Sequence, residues 1–252
     1  MAISSSAPLE IDPALAGPQP LSVVIPALNE AATLSHTLGS VQPTGPVEVI
    51  VVDGGSWDST AVIARSHHAQ VITTAPGRAG QMNTGAKAAT GKILLFLHAD
   101  TCLPPGFDDM VRHTLSQPQV VAGAFYLAID GPGWGLRLVE WGVRLRSQRL
   151  QMPYGDQGIF LTAERFHALG GFPEQPIMED FELICQLRRQ GRIAIAPAAV
   201  LTSSRRWQTL GVAYTTVLNQ VMIAGYFGGV SPYRLSRWYR YWKNPFRGKQ
   251  LQ

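Results

Sequence analysis

Short apolar runs closed by polar clusters, each followed by a stretch with helical spacing, organise the first hundred residues. Leu21–Ile25 is the first such run, ended by Pro26. Asn29 is placed to cap a helix whose apolar positions Ala31, Leu34 and Leu38 recur at helical spacing. Val47–Val52 is the second run, closed by Asp53-Gly54-Gly55-Ser56. Asp58 or Ser59 can cap the helix after it, with Val62 and Ile63 inward. Val71–Thr73 predicts a third strand, Arg78–Thr90 a helix stopped at Gly91, and Ile93–Leu97 a fourth strand running into His98-Ala99-Asp100. Four β–α repeats with near-continuous apolar strands predict an α/β fold, a parallel sheet covered by helices on both faces. Ligands bind such sheets beyond the carboxyl ends of the strands. The polar clusters Asn29-Glu30, Asp53 to Asp58 and His98 to Asp100 all stand there, so acids distant in sequence are expected to converge on one crevice.

The second half is less regular. Trp134–Leu150 reads as an amphipathic helix with Arg137, Arg144, Arg146 and Arg149 among Leu136, Leu138, Val139 and Trp141. Gly158–Leu161 predicts a strand, and Thr162 caps a short helix ending at Gly170-Gly171. Glu179–Gln190 is helical with Phe181, Ile184 and Leu187 on its apolar side. Ile193–Leu201 is extended, and two helices follow, the last opening with Ser231-Pro232.

Composition narrows the classes. At 252 residues and 46% hydrophobic content, the chain can close one large core. Its net charge of +4 is local: residues 231–252 hold four Arg, two Lys and no acid (+6), which leaves −2 for residues 1–230. A nucleic-acid-binding body is therefore not implied, and no nucleic-acid partner is expected. Two cysteines, Cys102 and Cys185, exclude a disulfide framework and fit a reducing, cytoplasmic setting. Residues 1–20 lack the basic and apolar segments of a signal peptide and read as a flexible leader. Leu210–Val230 is uncharged but diluted by Thr215, Thr216, Asn219 and Gln220, so it falls short of a spanning helix.

The ordered set Val23-Val24-Ile25-Pro26-Ala27-Leu28-Asn29-Glu30, Val52-Asp53-Gly54-Gly55-Ser56-Trp57-Asp58, Arg78, Gln81, Asn83, Gly85 and His98-Ala99-Asp100 resembles the family 2 glycosyltransferases. The likeness continues through Gly170-Gly171-Phe172, Met178-Glu179-Asp180 and Arg205-Arg206-Trp207, over roughly residues 21–210. It implies a GT-A fold, a Rossmann-like, mostly parallel sheet flanked by helices, followed by a helical, basic-aromatic extension over 211–252. It also implies a nucleotide-sugar donor, with base and ribose at Pro26, Glu30, Asp53 and Arg78. Asn29, Gly55, Ser56, Asp58, Gln81, Asn83, His98 and Ala99 complete the expected donor site.

The chemistry of these residue types runs alongside. A carboxylate at a strand end, such as Asp53, can accept from base N–H or ribose hydroxyl groups, and Gly54-Gly55 lets backbone approach a ligand. His98-Ala99-Asp100 stands where the family carries its DxD-type motif, which implies Asp100 as ligand to Mn²⁺ or Mg²⁺ opposite the diphosphate. His98 replaces the first acid of that motif. Glu179-Asp180 suits a helix N-terminus on dipole grounds alone; the resemblance implies a catalytic base in this pair, Asp180 first, and Asp156, in a stretch expected to line the acceptor side, is the second candidate. A base and a cation together suit an inverting displacement. Arg206 is expected on the diphosphate and Trp207 on sugar or acceptor, although Thr202 stands where the family's QxxRW-type motif has Gln.

Aromatics interleave with cations over Tyr233–Lys243, a composition that suits a bilayer interface as well as a packed helix with snorkelling Arg. A lipid-linked acceptor and peripheral contact with the inner face of a membrane are thus further expectations. Two other functions remain open at the level of sequence. A nucleotidyltransferase would normally carry a Gly-rich basic loop where Ala27-Leu28-Asn29-Glu30 stands. A catalytically lapsed nucleotide-sugar-binding protein would account for His98 and Thr202.

Overall fold

A computed structural model describes residues 19–243. The first half follows the predicted alternation: β1 (Leu21–Ala27), α1 (Leu34–Gly39), β2 (Val47–Asp53), α2 (Thr60–Ser66), β3 (Gln70–Thr73), α3 (Arg78–Ala88) and β4 (Ile93–Phe96). β1 lies between β2 and β4 and is parallel to both, with Val23 opposite Val49 and Leu95. β1 is buried on both faces, as its near-continuous apolar run requires. Val23, Ile25 and Val51 pack with Leu34, Leu38 and Ala64 of α1 and α2. Val24, Ile50 and Val52 pack with Ala79, Met82 and Ala86 of α3. Gly85 permits the second contact, since a Cβ there would stand 2.4 Å from Val24 Cγ1 and 2.9 Å from Val52 Cγ2.

The stretch 103–133, for which the sequence pattern predicts no element, holds α4 (Phe107–Leu115) and β6 (Val120–Asp130), after the two-residue β5 (Thr101–Cys102). α5 (Trp134–Arg149), β7 (Ile159–Thr162), α6 (Ala163–Ala168), α7 (Glu179–Arg188) and β8 (Arg192–Ser203) complete the body. α8 (Arg205–Leu210), α9 (Val212–Phe227) and α10 (Pro232–Lys243) form the helical end. The strand order β3-β2-β1-β4-β7-β6-β8-β5 makes one eight-stranded sheet. It is mixed: β7 is antiparallel to β4 and β6, β6 is parallel to β8, and β5 is antiparallel to β8. The pairing of β5 with β8 brings the chain after Ser203 back beside Asp100, whose carbonyl accepts from Ser203 N at 3.0 Å.

Several local expectations are met. Thr162 accepts from Arg165 N at the start of α6, and Phe181, Ile184 and Leu187 are buried on α7. Two are corrected. Asn29 does not cap a helix: it adopts φ 55, its Oδ1 accepts from Trp57 N, and α1 begins five residues later at Leu34. Val62 points outward at 66% exposure, while Ile63 packs on the core. The predicted leader lies outside the described residues except at 19–20, and the extension is described as far as residue 243.

Candidate active site

A cleft of about 600 Å³ opens beyond the carboxyl ends of β1 and β4, where a sheet of this topology places its ligand. Its floor carries Pro26, Glu30, Arg78, Gln81 and His98-Ala99-Asp100. A second wall carries Asp156, Glu179, Asp180, Arg206 and Trp207. Twelve sequence-predicted residues thus share one cavity. Met222 and Ile223 of α9 and Tyr239 and Arg240 of α10 close its far side. The sequence pattern marks Tyr233–Lys243 for a bilayer interface, but only the packing of α9 and α10 shows that Met222, Ile223, Tyr239 and Arg240 reach the cleft.

Arg78, the first residue of α3, is the electrostatic centre. Its Nε donates to Glu179, one Nη lies 3.7 Å from Asp180 Oδ2, and the other lies 3.1 Å from His98 Nε2. Burial opposes the charge of Arg78, but Glu179 and Asp180 outweigh it and hold the guanidinium more firmly protonated than usual. Burial and then the Arg78 charge drive the His98 imidazole down to about 4. His98 is therefore neutral near pH 7, with Nε2 turned to a cation donor.

The acids of the second wall differ. Burial raises Asp180, yet Arg78 and the N–H groups of Gly155 (2.7 Å) and Phe181 (2.8 Å) prevail and hold it below the ordinary aspartate range. Burial dominates at Glu179 and at Asp156 and pushes both above their ordinary values. Asp156 Oδ1 is buried with no hydrogen-bond partner. A clamp from α5 sets the turn that carries it. Arg146 lies 3.4 Å over the Tyr154 ring and donates to Met152 O, while Ser147 and Tyr154 N both donate to Gln157 Oε1. Gln157 Nε2 then donates to Phe125 O at 2.8 Å, deep in the sheet.

Arg205 bridges the floor carboxylates, 2.7 Å from Glu30 Oε2 and 3.2 Å from Asp100 Oδ2. Thr202, in the Gln position of the family motif, is buried and its Oγ1 accepts from Thr101 across the β5–β8 pair. Trp207 sits largely in the core at 8% exposure, with its Nε1 buried and unpartnered.

Six predicted donor-site residues do not line the cleft. Asn29 O and N atoms are taken up by Trp57 and Ser56. Ser56 N and its hydroxyl bind Asp53 Oδ1, and Asp58 receives Ala31 N, Thr60 N and the Thr60 hydroxyl. Gly55, at φ 88, turns the same loop. Asn83 pairs with the N–H and carbonyl of Phe172 at 2.9 and 2.8 Å. These residues build the loops behind the cleft rather than its surface. Gln81 does line it, but its amide donates to Ala27 O (2.9 Å) and Val52 O (2.7 Å), tying the ends of β1 and β2 together.

Among the described residues no three His, Cys, Asp or Glu side chains gather into a cation cage. The donor set is the Asp100 carboxylate, with His98 Nε2 already facing Arg78. That set fits Mg²⁺ or Mn²⁺, hard cations that are commonly held by one or two carboxylates together with substrate phosphate oxygens.

Residues 22–167, more than half of the chain, match the family described as "Glycosyl transferase family 2". Glucosyl-3-phosphoglycerate synthase of Mycobacterium tuberculosis is 35% identical over 107 residues, covering 38% of this chain and 33% of that protein. A PGL/p-HBAD biosynthesis glycosyltransferase of Mycobacterium bovis is 41% identical over 91 residues, 32% of this chain and 36% of the relative. The matched segment thus spans about a third of these relatives' length. Among solved structures, a mannosyltransferase from Pyrobaculum calidifontis in complex with GDP-Man and Mn²⁺ superposes with TM-score 0.62 at 19% identity, over 89% of this chain and 70% of the other. The M. tuberculosis synthase in complex with Mn²⁺, UDP and glucosyl-3-phosphoglycerate superposes with TM-score 0.57 at 23% identity, over 85% of each chain. At these identities the structural likeness establishes the fold.

Proposed function

Because this chain belongs to glycosyl transferase family 2, we propose that it moves a sugar from a nucleotide-sugar donor to an acceptor hydroxyl with inversion at the anomeric carbon. The observation that supports this best is the convergence of Glu30, Asp100, Asp156, Asp180 and Arg206, separated by up to 176 positions in sequence, on one cleft. Residues 21–210 form the transferase domain in this reading, followed by an extension over 211–252 whose helices α9 and α10 supply the acceptor wall.

The nucleoside enters over Pro26 and Glu30, with Asp53 behind them at the end of β2. The diphosphate faces Arg206 and Asp100. A Mn²⁺ or Mg²⁺ ion held there by Asp100 would offset the charge of the leaving nucleoside diphosphate. Arg205, which contacts Asp100 and Glu30 in the free cleft, is drawn to the same phosphate oxygens. Asp180 takes the acceptor's hydroxyl proton as that oxygen bonds to the anomeric carbon and the sugar–phosphate bond breaks. Its two backbone N–H donors and Arg78 keep it ionised and in place. Asp156, with one oxygen unpartnered, holds a second hydroxyl of sugar or acceptor. On the far side Met222, Ile223 and Tyr239 stand beside Asn219, Ser236 and Arg240, a mixed apolar and cationic wall that suits a lipid-linked, phosphate-bearing acceptor brought to a membrane's inner face.

Purified full-length chain tests this by donor hydrolysis and by transfer to an acceptor panel with Mn²⁺ or Mg²⁺. Thermal shift with UDP-, GDP- and dTDP-sugars first identifies the donor. Asp100→Ala and Asp180→Asn should each lower turnover about 10²-fold or more with folding intact. Unchanged rates in both reject the assigned roles. Nucleotide binding without turnover on any acceptor would point instead to a lapsed transferase, the reading favoured by His98 in place of an acid.

A further inference from the structure

α5 is apolar on two opposite sides. Leu136, Val139 and Val143 pack toward the core. Trp134, Leu138, Trp141 and Leu145 are 82%, 57%, 63% and 43% exposed. Their spacing (i, i+4, i+7, i+11) places them on one continuous stripe. Single exposed apolar residues are ordinary, but a stripe with two tryptophans marks a contact surface.

The stripe adjoins the C-terminal helices. A Cβ at Gly135 would touch Val212 of α9 at 3.4 Å, and the Tyr214 hydroxyl donates to Trp242 O of α10. α9 carries no charged residue, and its Tyr214, Val217 and Val221 are exposed. Charge decides what covers this face. Arg137, Arg144 and Arg149 flank the α5 stripe, and Arg234 and Arg237 stand exposed on α10. The acid of α5, Glu140, is already engaged by Arg137 and by Ile129 N, and α9 and α10 contain no acid. A second copy of the chain laid on this face would set arginines against arginines. An anionic headgroup layer neutralises them while Trp and Tyr rings settle at headgroup depth. No described helix is long and apolar enough to cross a bilayer, so the geometry is that of helices lying in the interface.

We propose that the α5–α9–α10 face docks on a bilayer containing anionic phospholipid. Resting on the transferase reading, the same docking delivers a lipid-linked acceptor, since inner residues of α9 and α10 wall the cleft.

The test is flotation of the full chain with vesicles of phosphatidylcholine alone and of phosphatidylcholine mixed with phosphatidylglycerol. Binding to the mixed vesicles is expected to exceed binding to neutral ones by about tenfold or more, and to weaken as salt rises. Lipids brominated along the acyl chain should quench tryptophan fluorescence. Trp134→Ser with Trp141→Ser should lower vesicle binding about tenfold, and Arg149→Glu with Arg237→Glu should do the same, with melting temperature unchanged in both. Failure to bind mixed vesicles, equal binding to both kinds, or a tryptophan variant that loses a dimer in sedimentation while keeping vesicle binding would overturn the proposal. Donor hydrolysis in vesicle-free buffer reports on the transferase reading alone. Its absence beside intact vesicle binding would reject that reading and leave docking in place.

Discussion

Gln81 decides between two roles, and a single substitution separates them. Its amide is buried at 4% exposure, donates to Ala27 O and Val52 O, and its Oε1 accepts from Gly77 N at 3.3 Å. Gln81→Met keeps the length and approximate volume of the side chain but removes both strong donors. Each lost bond has a net value of roughly 0.5–1.5 kcal/mol, and a buried carbonyl left unsatisfied costs more, so the variant should lose about 2–3 kcal/mol. For a chain of this size each kcal/mol corresponds to about 2–4 °C, so melting should fall by roughly 4–12 °C. Urea denaturation monitored by circular dichroism gives the free energy, and calorimetric titration with the identified donor gives the affinity. The structure predicts a large stability loss, with donor affinity reduced only as far as the ends of β1 and β2 loosen. A variant of wild-type stability that no longer binds donor would refute the tie and make Gln81 a ligand.

Further outcomes follow from the same geometry. Asp108, buried beneath Thr44 and Gly45, is raised by burial but lowered more by Arg112 and the Thr44 and Gly45 N–H groups. Its stabilising effect is thus present above the unfolded aspartate value of about 3.9 and is lost as pH falls through the lower folded value. Asp108→Asn should cost about 1–3 kcal/mol at pH 7 and flatten the acid limb of a stability–pH curve. Gly85→Val drives a side chain into Val24 and Val52 and should cost about 3 kcal/mol by thermal denaturation, while a loss below 0.5 kcal/mol would mean that α3 can lift from the sheet. In the pH dependence of kcat/KM, an Asp180 base places the acid limb below the ordinary aspartate range, and that limb should persist in Asp156→Asn. A limb above that range that disappears in Asp156→Asn would transfer the role to Asp156, which burial holds high.

The parallel half of the fold was legible because its buried strands read as near-continuous apolar runs, most of them ending in a polar cluster. β6 was not, although Phe125–Ile129 is an apolar run closed by Asp130-Gly131, because no β–α repeat frames it. Gly123 within it is needed because a Cβ there would meet the Phe160 ring at 2.3 Å. Strand-end clusters and the family resemblance named Asp100, Asp180 and Arg206, which the fold gathers in one cleft, whereas Asn29 serves a loop rather than a helix start. Asp53, Ser56, Asp58 and Asn83 sit next to the cleft in sequence order, yet their hydrogen bonds run to neighbouring backbone and hydroxyl groups. Polar residue type alone cannot distinguish a group that touches ligand from one that shapes the loop behind it. The α9 and α10 wall lay beyond reach because long-range packing, not local pattern, places it.

The two sides of α5 also have a mechanical meaning. Arg146 and Ser147 grip the turn bearing Asp156 from within, and Trp141 and Leu145 stand less than two helical turns away on the outer surface. A helix of this length moves as a stiff rod. A load seated on the outer side would therefore press on the same rod that fixes the Asp156 turn, and with it on how a bound hydroxyl is held.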